Sequence, residues 1–156
     1  MSEHKEEAAF ETFVDIIATL RGEHGCPWDK EQTFESLKPC MVNEMTEALA
    51  GIDLYTQTGN AENLCEELGD VLMQVVLLSQ IAKEKGLFDI TDVIKGISEK
   101  MVRRHPHVFG APGAEVPDWE AIKQQEKQQR SRELEQAEKA AFRAAAGQII
   151  CHLSER

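Results

Sequence analysis

The sequence predicts an all-α fold, and three observations support this prediction. Apolar residues recur at intervals of three and four along successive segments, which is the period of one helical face. The 10 glycines and 5 prolines fall mostly between these segments, where turns are expected. No segment alternates apolar and polar residues for long enough to indicate a strand. A chain of 156 residues is long enough for one domain with a buried core.

The first predicted helix covers residues 7–20 and ends near Gly22, because five of its apolar residues share one face. These five are Phe10, Phe13, Val14, Ile17 and Leu20. A loop at residues 25–28 follows. Pro39 is tolerated in a first helical turn and introduces a second helix that continues to about Tyr55. The predicted buried stripe of this helix is Met41, Met45, Ala48, Ile52 and Tyr55.

A break at residues 56–60 separates the second helix from a longer third one, which ends near Gly86. Its predicted apolar face consists of Leu64, Leu68, Val71, Leu72, Val75 and Leu78. Because the connection is short, we expect the two helices to form an antiparallel hairpin with their apolar stripes in contact.

A fourth helix, with Thr91 as its N-cap, is predicted to run to about Arg104. The loop that follows is marked by Pro106, Pro112, Gly113 and Pro117. Asp118 then caps a helix that begins at Trp119. Beyond Ile122 most residues are Gln, Glu, Lys, Arg and Ala, so this helix has little apolar surface to bury.

The helical pattern and the change to a polar composition divide the chain into two segments. We expect a folded domain at residues 1–128 and a polar helical tail at residues 129–156. Because the residues beyond Ile122 offer little apolar surface to bury, we expect this part of the chain to be exposed, frayed or in contact with a partner.

The charge balance limits the partners of the protein. Acidic residues outnumber basic ones by 28 to 17, and the formal net charge is −11. This negative field repels the phosphates of DNA and RNA, so we expect no nucleic-acid polymer as a partner. A small phosphorylated ligand stays compatible with it where a divalent cation bridges the ligand to the acids.

The compartment is predicted from the cysteines and the apolar runs. The four cysteines form no CxxC pair and no zinc-ligand spacing, which is typical of reduced thiols. The N-terminus carries charges where a signal peptide would be apolar, and the longest apolar runs are far below membrane-spanning length. We therefore expect a cytoplasmic protein that makes no membrane contact.

Two pairs of acids are the candidates for chemistry. Glu44 and Glu47 lie three apart on the second helix, and Glu67 and Asp70 lie three apart on the third, so each pair shares one face. In the hairpin the four carboxylates can converge, and hard divalent cations relieve the repulsion between them. Either pair alone is more typical of solvated helix residues or salt-bridge partners, because the same spacing recurs elsewhere in the chain, so only the two pairs together indicate a metal site.

The identity of the metal follows from the ligand types. A di-iron carboxylate bundle would supply Glu-x-x-His from two of its helices, and the sequence contains no such element. Oxygen ligands alone favour Mg²⁺, with Mn²⁺ as the alternative, over iron or zinc.

Four segments in order resemble the MazG family of nucleoside triphosphate pyrophosphohydrolases, over residues 8–128 of the chain. They are residues 20–29 (LRGEHGCPWD), 43–47 (NEMTE), 66–70 (EELGD) and 100–109 (KMVRRHPHVF). The resemblance implies helical hairpins that form a four-helix core through homodimerisation or a higher homo-oligomer. It also implies magnesium-dependent hydrolysis of ribo- or deoxyribonucleoside triphosphates to monophosphate and pyrophosphate, in nucleotide-pool house-cleaning.

The resemblance also implies roles for individual residues. The metal ligands would be Glu44, Glu47, Glu67 and Asp70. The triphosphate would contact Lys100 and Arg104, and the nucleotide would further contact Trp119 and Lys123. With metal bound, a water would attack the α-phosphorus, and Glu44 is the candidate for accepting its proton.

Three departures from the family pattern leave alternatives open. Asn43 stands where the family usually has an acid, and Asn63 stands where some relatives carry Lys. Many relatives also contain two copies of the domain, and this chain contains one. A nucleotide-binding regulatory module with weak or no turnover is therefore the alternative to an enzyme. A helical interaction protein, in which the carboxylates are only surface charges, is the third hypothesis.

Overall fold

The computed structural model describes residues 3–111, 113, 116–128 and 131–154. Within these ranges all regular structure is helical, which confirms the predicted fold class. The chain divides into two compact units, residues 1–90 and 91–156. Over the described ranges, no helix combines the length and the apolar character that crossing a bilayer requires.

The first unit contains four helices in its described part: α1 (Glu3–Arg21), α2 (Pro27–Glu31), α3 (Leu37–Thr58) and α4 (Glu62–Glu84). The helices α1, α3 and α4 confirm the three that the apolar period predicts. The helices α1 and α3 are a few residues longer than predicted, and α4 ends two residues before the predicted end near Gly86. The short helix α2 was not predicted, because its segment was interpreted as a loop. Pro27 begins it, and a first turn accepts proline since the missing N–H would have no helical partner there.

The connection between α3 and α4 is built by two residues that suit a tight turn. Gly59 ends α3 with φ 75°, and its N–H donates to the carbonyl of Tyr55 at 2.8 Å. This left-handed backbone is readily adopted only by glycine. The side-chain oxygen of Asn60 then accepts the N–H of Glu62 at 2.8 Å, which starts α4. The predicted antiparallel hairpin is thus confirmed, but the expected contact between the two apolar stripes is wrong, because Leu68 and Leu72 of the predicted α4 face are 54% and 41% exposed.

The buried core of the first unit lies between α1, the start of α3 and the second half of α4. Five apolar residues, each no more than 3% exposed, form it: Ile17, Leu37, Val76, Leu77 and Ile81. The predicted buried stripe of α3 is wrong in most of its members. Met45, Ile52 and Tyr55 are each nearly half exposed, at 47–48%, and Ala48 is buried. The reason is that α3 turns its small residues toward α4, which leaves its larger apolar residues on the outer face.

Arg21, the last residue of α1, forms hydrogen bonds with two other elements, α4 and the end of α2. Its Nε and Nη2 donate to the two carboxylate oxygens of Glu84 on α4, at 2.8 and 2.6 Å. Its Nη1 donates to the carbonyl oxygens of Asp29 and Gln32 at the end of α2. The hydrogen bonds from Arg21 hold the pKa of Glu84 below its ordinary value. This guanidinium, 6% exposed, therefore orients α4 at the end opposite to the α3–α4 turn.

The described part of the second unit contains α5 (Ile90–Arg104), α6 (Pro106–Phe109), α7 (Trp119–Gln128) and α8 (Arg132–Ser154). Because α5 begins at Ile90, Thr91 lies in its first turn and is not the N-cap that was predicted. The predicted cap at Asp118 is confirmed, since its side chain accepts the N–H of Glu120 at 3.0 Å. The helix α6 falls in the predicted loop.

Some predictions for this unit lie outside the described residues. These are the loop residue Pro112 and residues 129, 130, 155 and 156 of the predicted tail. The described tail residues 131–154 consist almost entirely of α8, which exposes Phe142 by 75% and Ile150 by 68%. Exposed aromatic and aliphatic side chains of this size were not expected from a polar tail.

Candidate functional site

The faces of α3 and α4 that meet carry polar residues beside small ones. On α3 the line is Glu44, Ala48 and Gly51, spaced by four and three residues, and on α4 it is Asn63, Glu67, Asp70 and Gln74. Ala48 is 6% exposed and Gly51 is buried. Small side chains at these two positions let the helices approach closely.

Three of the four predicted acids come together between these helices. Glu44, Glu67 and Asp70 each place a carboxylate oxygen within 4.8 Å of the other two, and all three residues are half-buried. Glu47, the fourth, is exposed and is not part of this group. Acids from both helices thus converge as predicted for Glu44, Glu67 and Asp70, but Glu47 does not join them.

The Glu67 carboxylate has a defined neighbour. The side-chain amide of Asn63, one helical turn earlier on α4, donates to Glu67 Oε1 at 2.8 Å. On its other side, Asn63 faces Gly51 of α3. A Cβ atom at Gly51 would lie 3.1 Å from Asn63 Oδ1 and 3.1 Å from Leu64 Cα, which is tighter than ordinary van der Waals contact. The glycine therefore makes room for the amide that contacts the carboxylate.

A hard divalent cation fits this group of residues. All three donors are carboxylate oxygens, which are the ligands that Mg²⁺ and Mn²⁺ prefer. Two ligands on opposite sides of such an ion are separated by about 4–5 Å, in agreement with the spread of the group. Gln74, one turn beyond Asp70, is 3% exposed, and its Oε1 has no hydrogen-bond partner among the described residues. This buried amide oxygen lies on the same face of α4 as Glu67 and Asp70 and is a further potential ligand for the cation.

The predicted nucleotide contacts all belong to the second unit. Arg104 lies at the end of α5, and its guanidinium stands 5.2 Å from the ring centroid of Trp119 on α7. Lys100 lies one turn before Arg104. Lys123 on α7 pairs with Glu120 at 2.8 Å. The structure thus brings Arg104 and Trp119 into contact, as two of the four predicted contacts.

Sequence reasoning missed Glu126 and Arg103. Glu126 Oε2 accepts Arg104 Nη2 at 2.5 Å, and its Oε1 accepts Arg103 Nη2 at 2.7 Å. The hydrogen bond from Arg104, followed by that from Arg103, lowers the pKa of Glu126 to about 2. The available signal was the helical period, because Glu126 is seven residues from Trp119 and therefore on the same face of α7.

A cavity of about 680 Å³ lies beside this ion-pair cluster, within the second unit. Its lining residues are Lys100, Arg103, Pro106, Pro117, Ile122, Gln125 and Glu126. Of the predicted contacts only Lys100 faces it. Two cations, one carboxylate and apolar ring or aliphatic surface make the lining suitable for a ligand that has both charged and apolar parts.

The chain is similar to one known protein family and to several curated proteins. The model of a MazG nucleotide pyrophosphohydrolase domain matches residues 32–109, half of the chain. The chain is 51% identical over 119 residues to the nucleoside triphosphate pyrophosphohydrolase/pyrophosphatase MazG of Thermotoga maritima, covering 76% of this chain and 45% of the relative. It is 44% identical over 124 residues to the nucleoside triphosphate pyrophosphohydrolase of Escherichia coli, covering 76% and 46%.

A third relative is the uncharacterized protein YabN of Bacillus subtilis, to which the chain is 52% identical over 123 residues. The match covers 76% of this chain and 24% of the relative. The chain therefore spans less than half the length of these three curated relatives.

Proposed function

The chain belongs to the MazG nucleotide pyrophosphohydrolase family, and we propose that it hydrolyses nucleoside triphosphates to nucleoside monophosphate and pyrophosphate. The observation that carries the proposal is the meeting of Glu44, Glu67 and Asp70 between α3 and α4. Two relatives are named for this reaction, although each is more than twice as long as the matching segment.

In this proposal the carboxylates of Glu44, Glu67 and Asp70 hold Mg²⁺, or Mn²⁺ in its place. Glu47, one turn along α3 from Glu44, is proposed as a fourth ligand, because a glutamate side chain is long enough to span one helical turn. Members of the family generally depend on a metal ion. Bound there, the cation would neutralise charge that develops on the phosphate oxygens.

The residues of the chain supply the remaining chemistry. The reaction forms a bond between a water oxygen and the α-phosphorus, and it breaks the bond between that phosphorus and the oxygen bridging to the β-phosphate. Pyrophosphate leaves. A carboxylate oxygen of Glu44 is proposed to accept the proton of the attacking water, because a half-buried carboxylate at the reacting water can act as a general base.

Four residues of the second unit are proposed to bind the nucleotide. The cations Lys100 and Arg104 would contact the triphosphate, since ammonium and guanidinium groups pair with phosphate oxygens. Trp119 offers an aromatic face and Lys123 a further cation. The contact between Arg104 and Trp119 supports a shared role for these two residues.

We also propose a homodimer formed through the outer face of the α3–α4 hairpin. Six large apolar residues, each 41–60% exposed, lie there: Met45, Leu49, Ile52, Tyr55, Leu68 and Leu72. On α3, Met45, Leu49 and Ile52 are spaced by four and three, so they form one stripe along the helix. An exposed apolar surface that runs along two helices is typical of an interface.

The test is a panel of ribo- and deoxyribonucleoside triphosphates with Mg²⁺, with pyrophosphate and monophosphate measured separately. We expect both products in equal amounts. Glu67→Gln should lower kcat/KM by at least about 100-fold, since a neutral amide binds the cation weakly. The matched control is Glu66→Gln, an exposed neighbour on the same helix, which should change the rate less than about twofold. Release of orthophosphate and a diphosphate would contradict the proposal.

A nucleotide-binding module with little turnover is the second candidate. It is favoured by Asn43, a neutral residue beside Glu44, and by the position of Glu47 outside the carboxylate group. Fewer negative charges weaken the attraction for a cation. Saturable nucleotide binding in calorimetry, without pyrophosphate release across the same panel, would select this candidate over the enzyme.

A further inference from the structure

We infer that Asn63 is a positioning residue, which holds the Glu67 carboxylate where it meets Glu44 and Asp70. The inference rests on the proposed function, because it concerns the residues that would bind the cation. Asn63 itself is not counted among the ligands.

The first support is the hydrogen bond itself. A carboxylate can only accept, so the amide nitrogen of Asn63 must be the atom that faces Glu67 Oε1, at 2.8 Å. Both residues are half-buried, so water competes less for this bond than it does at an exposed pair. A free glutamate side chain rotates about three bonds, and holding one oxygen removes much of this freedom.

The second support is the position of Asn63 between the two helices. Its position four residues before Glu67 and seven before Asp70 puts all three side chains on the face of α4 that meets α3. Opposite lies Gly51, where a Cβ would approach Asn63 Oδ1 to 3.1 Å. The amide therefore lies in the space that the missing Cβ of Gly51 leaves open, between α3 and the Glu67 carboxylate.

The third support is the charge of the group. An amide is a neutral donor, so it orients the carboxylate and leaves its full negative charge for a cation. A lysine or arginine at this position would form an ion pair and reduce that charge. A half-buried neutral donor is thus suited to ordering a metal ligand, as hydrogen-bond partners of metal ligands commonly are.

The experiment measures Mn²⁺ affinity directly, by calorimetry on the full chain without nucleotide, in addition to activity. Asn63→Ala and Asn63→Ser should each weaken Mn²⁺ binding by about tenfold, since neither side chain can donate across one turn to Glu67. Asn63→Gln should recover most of the affinity. The chain shows that a Gln reaches a Glu four residues later, because Gln80 Nε2 donates to Glu84 Oε1 at 3.2 Å on the same helix.

The matched control is Gln80→Ala, which removes the same type of bond on α4 from a glutamate outside the carboxylate group. It should leave Mn²⁺ affinity within about twofold of the original. The metal-free melting temperature should also be nearly equal for Asn63→Ala and Gln80→Ala, which separates positioning from general stability. Activity of Asn63→Ala should require about tenfold more Mg²⁺ for half-maximal rate and recover at high Mg²⁺.

The outcomes separate the two proposals. Unchanged Mn²⁺ affinity in Asn63→Ala, or no recovery in Asn63→Gln, overturns the positioning role and leaves the hydrolysis of triphosphates standing if the original protein releases pyrophosphate. Absence of Mn²⁺ binding by the original protein also overturns the positioning role, because no bound cation then depends on the Glu67 carboxylate. The release of pyrophosphate decides the proposed hydrolysis independently.

Discussion

Gly51 and Ala48 show how single residues decide whether the acids can meet. Both lie on the face of α3 that contacts α4, and both are buried. A larger residue at either position would separate the helices and move Glu44 away from Glu67 and Asp70. In an isolated helix a glycine costs about 1 kcal/mol relative to alanine, so Gly51 is unfavourable for α3 itself. The close approach of the two backbones explains why it is there.

Replacement of Gly51 by alanine tests this balance. The new Cβ would lie 3.1 Å from Leu64 Cα, a backbone atom that cannot rotate away. We expect this overpacking to outweigh the gain in helix propensity and to lower the free energy of unfolding by about 1 kcal/mol, measured by urea denaturation. Gly69→Ala is the control, because no atom of the described residues outside the neighbouring backbone lies within 4 Å of the position that its new Cβ would take, and it should stabilise α4. Equal stabilisation by both changes would contradict the close-packing explanation.

At the scale of elements, one carboxylate joins α5 to α7. Glu126 on α7 pairs with Arg104 and Arg103, which are consecutive residues at the end of α5. The Arg104 side chain is only 15% exposed. Since Arg104 also lies over Trp119, the ion pairs and the ring contact fix the same pair of helices. The contact is therefore expected to respond to pH.

The pKa of Glu126, lowered to about 2, sets that response. A carboxyl whose pKa is depressed in the folded state contributes stability that is complete above its unfolded value of about 4.5 and is lost as the pH falls toward 2. We expect the fluorescence of Trp119, measured in a Trp28→Phe background, to change between about pH 4.5 and pH 2. Glu126→Gln should abolish that transition. A transition that persists unchanged in Glu126→Gln would show that another group controls the contact.

The elements were predictable where the helical period is long and regular. The pattern of Phe10 to Leu20 located α1, and the acids at Glu44, Glu67 and Asp70 were assigned to one hairpin. The short helices α2 and α6 were missed because four or five residues give no period, and their prolines also suggest a loop. The contact of Glu126 with Arg104 was missed because it depends on tertiary packing across 22 residues.

At the scale of the whole molecule, the apolar stripe of α3 was predicted to be buried, but Met45, Ile52 and Tyr55 are nearly half exposed. An apolar stripe at helical spacing indicates that a face will be covered, but it does not say whether the cover comes from the same chain. In the single chain, α4 contacts the small residues of α3, and Leu49 stays 60% exposed. The carboxylate group, by contrast, is built entirely from one chain. Assembly and metal binding are therefore expected to be separable.

Leu49→Glu tests this separation. By light scattering after size exclusion at micromolar concentration, the original protein should have twice the chain mass of 17.5 kDa. A buried glutamate at the centre of the apolar stripe would lose its hydration without a partner, so this variant should elute as a monomer. Phe142→Glu, which changes a residue that is 75% exposed on α8, should stay dimeric.

Monomeric Leu49→Glu should still bind Mn²⁺, because Glu44, Glu67 and Asp70 stay within one chain. A mass of 17.5 kDa for the original protein would contradict the dimer, and loss of Mn²⁺ binding in a folded monomer would show that the partner chain completes the group.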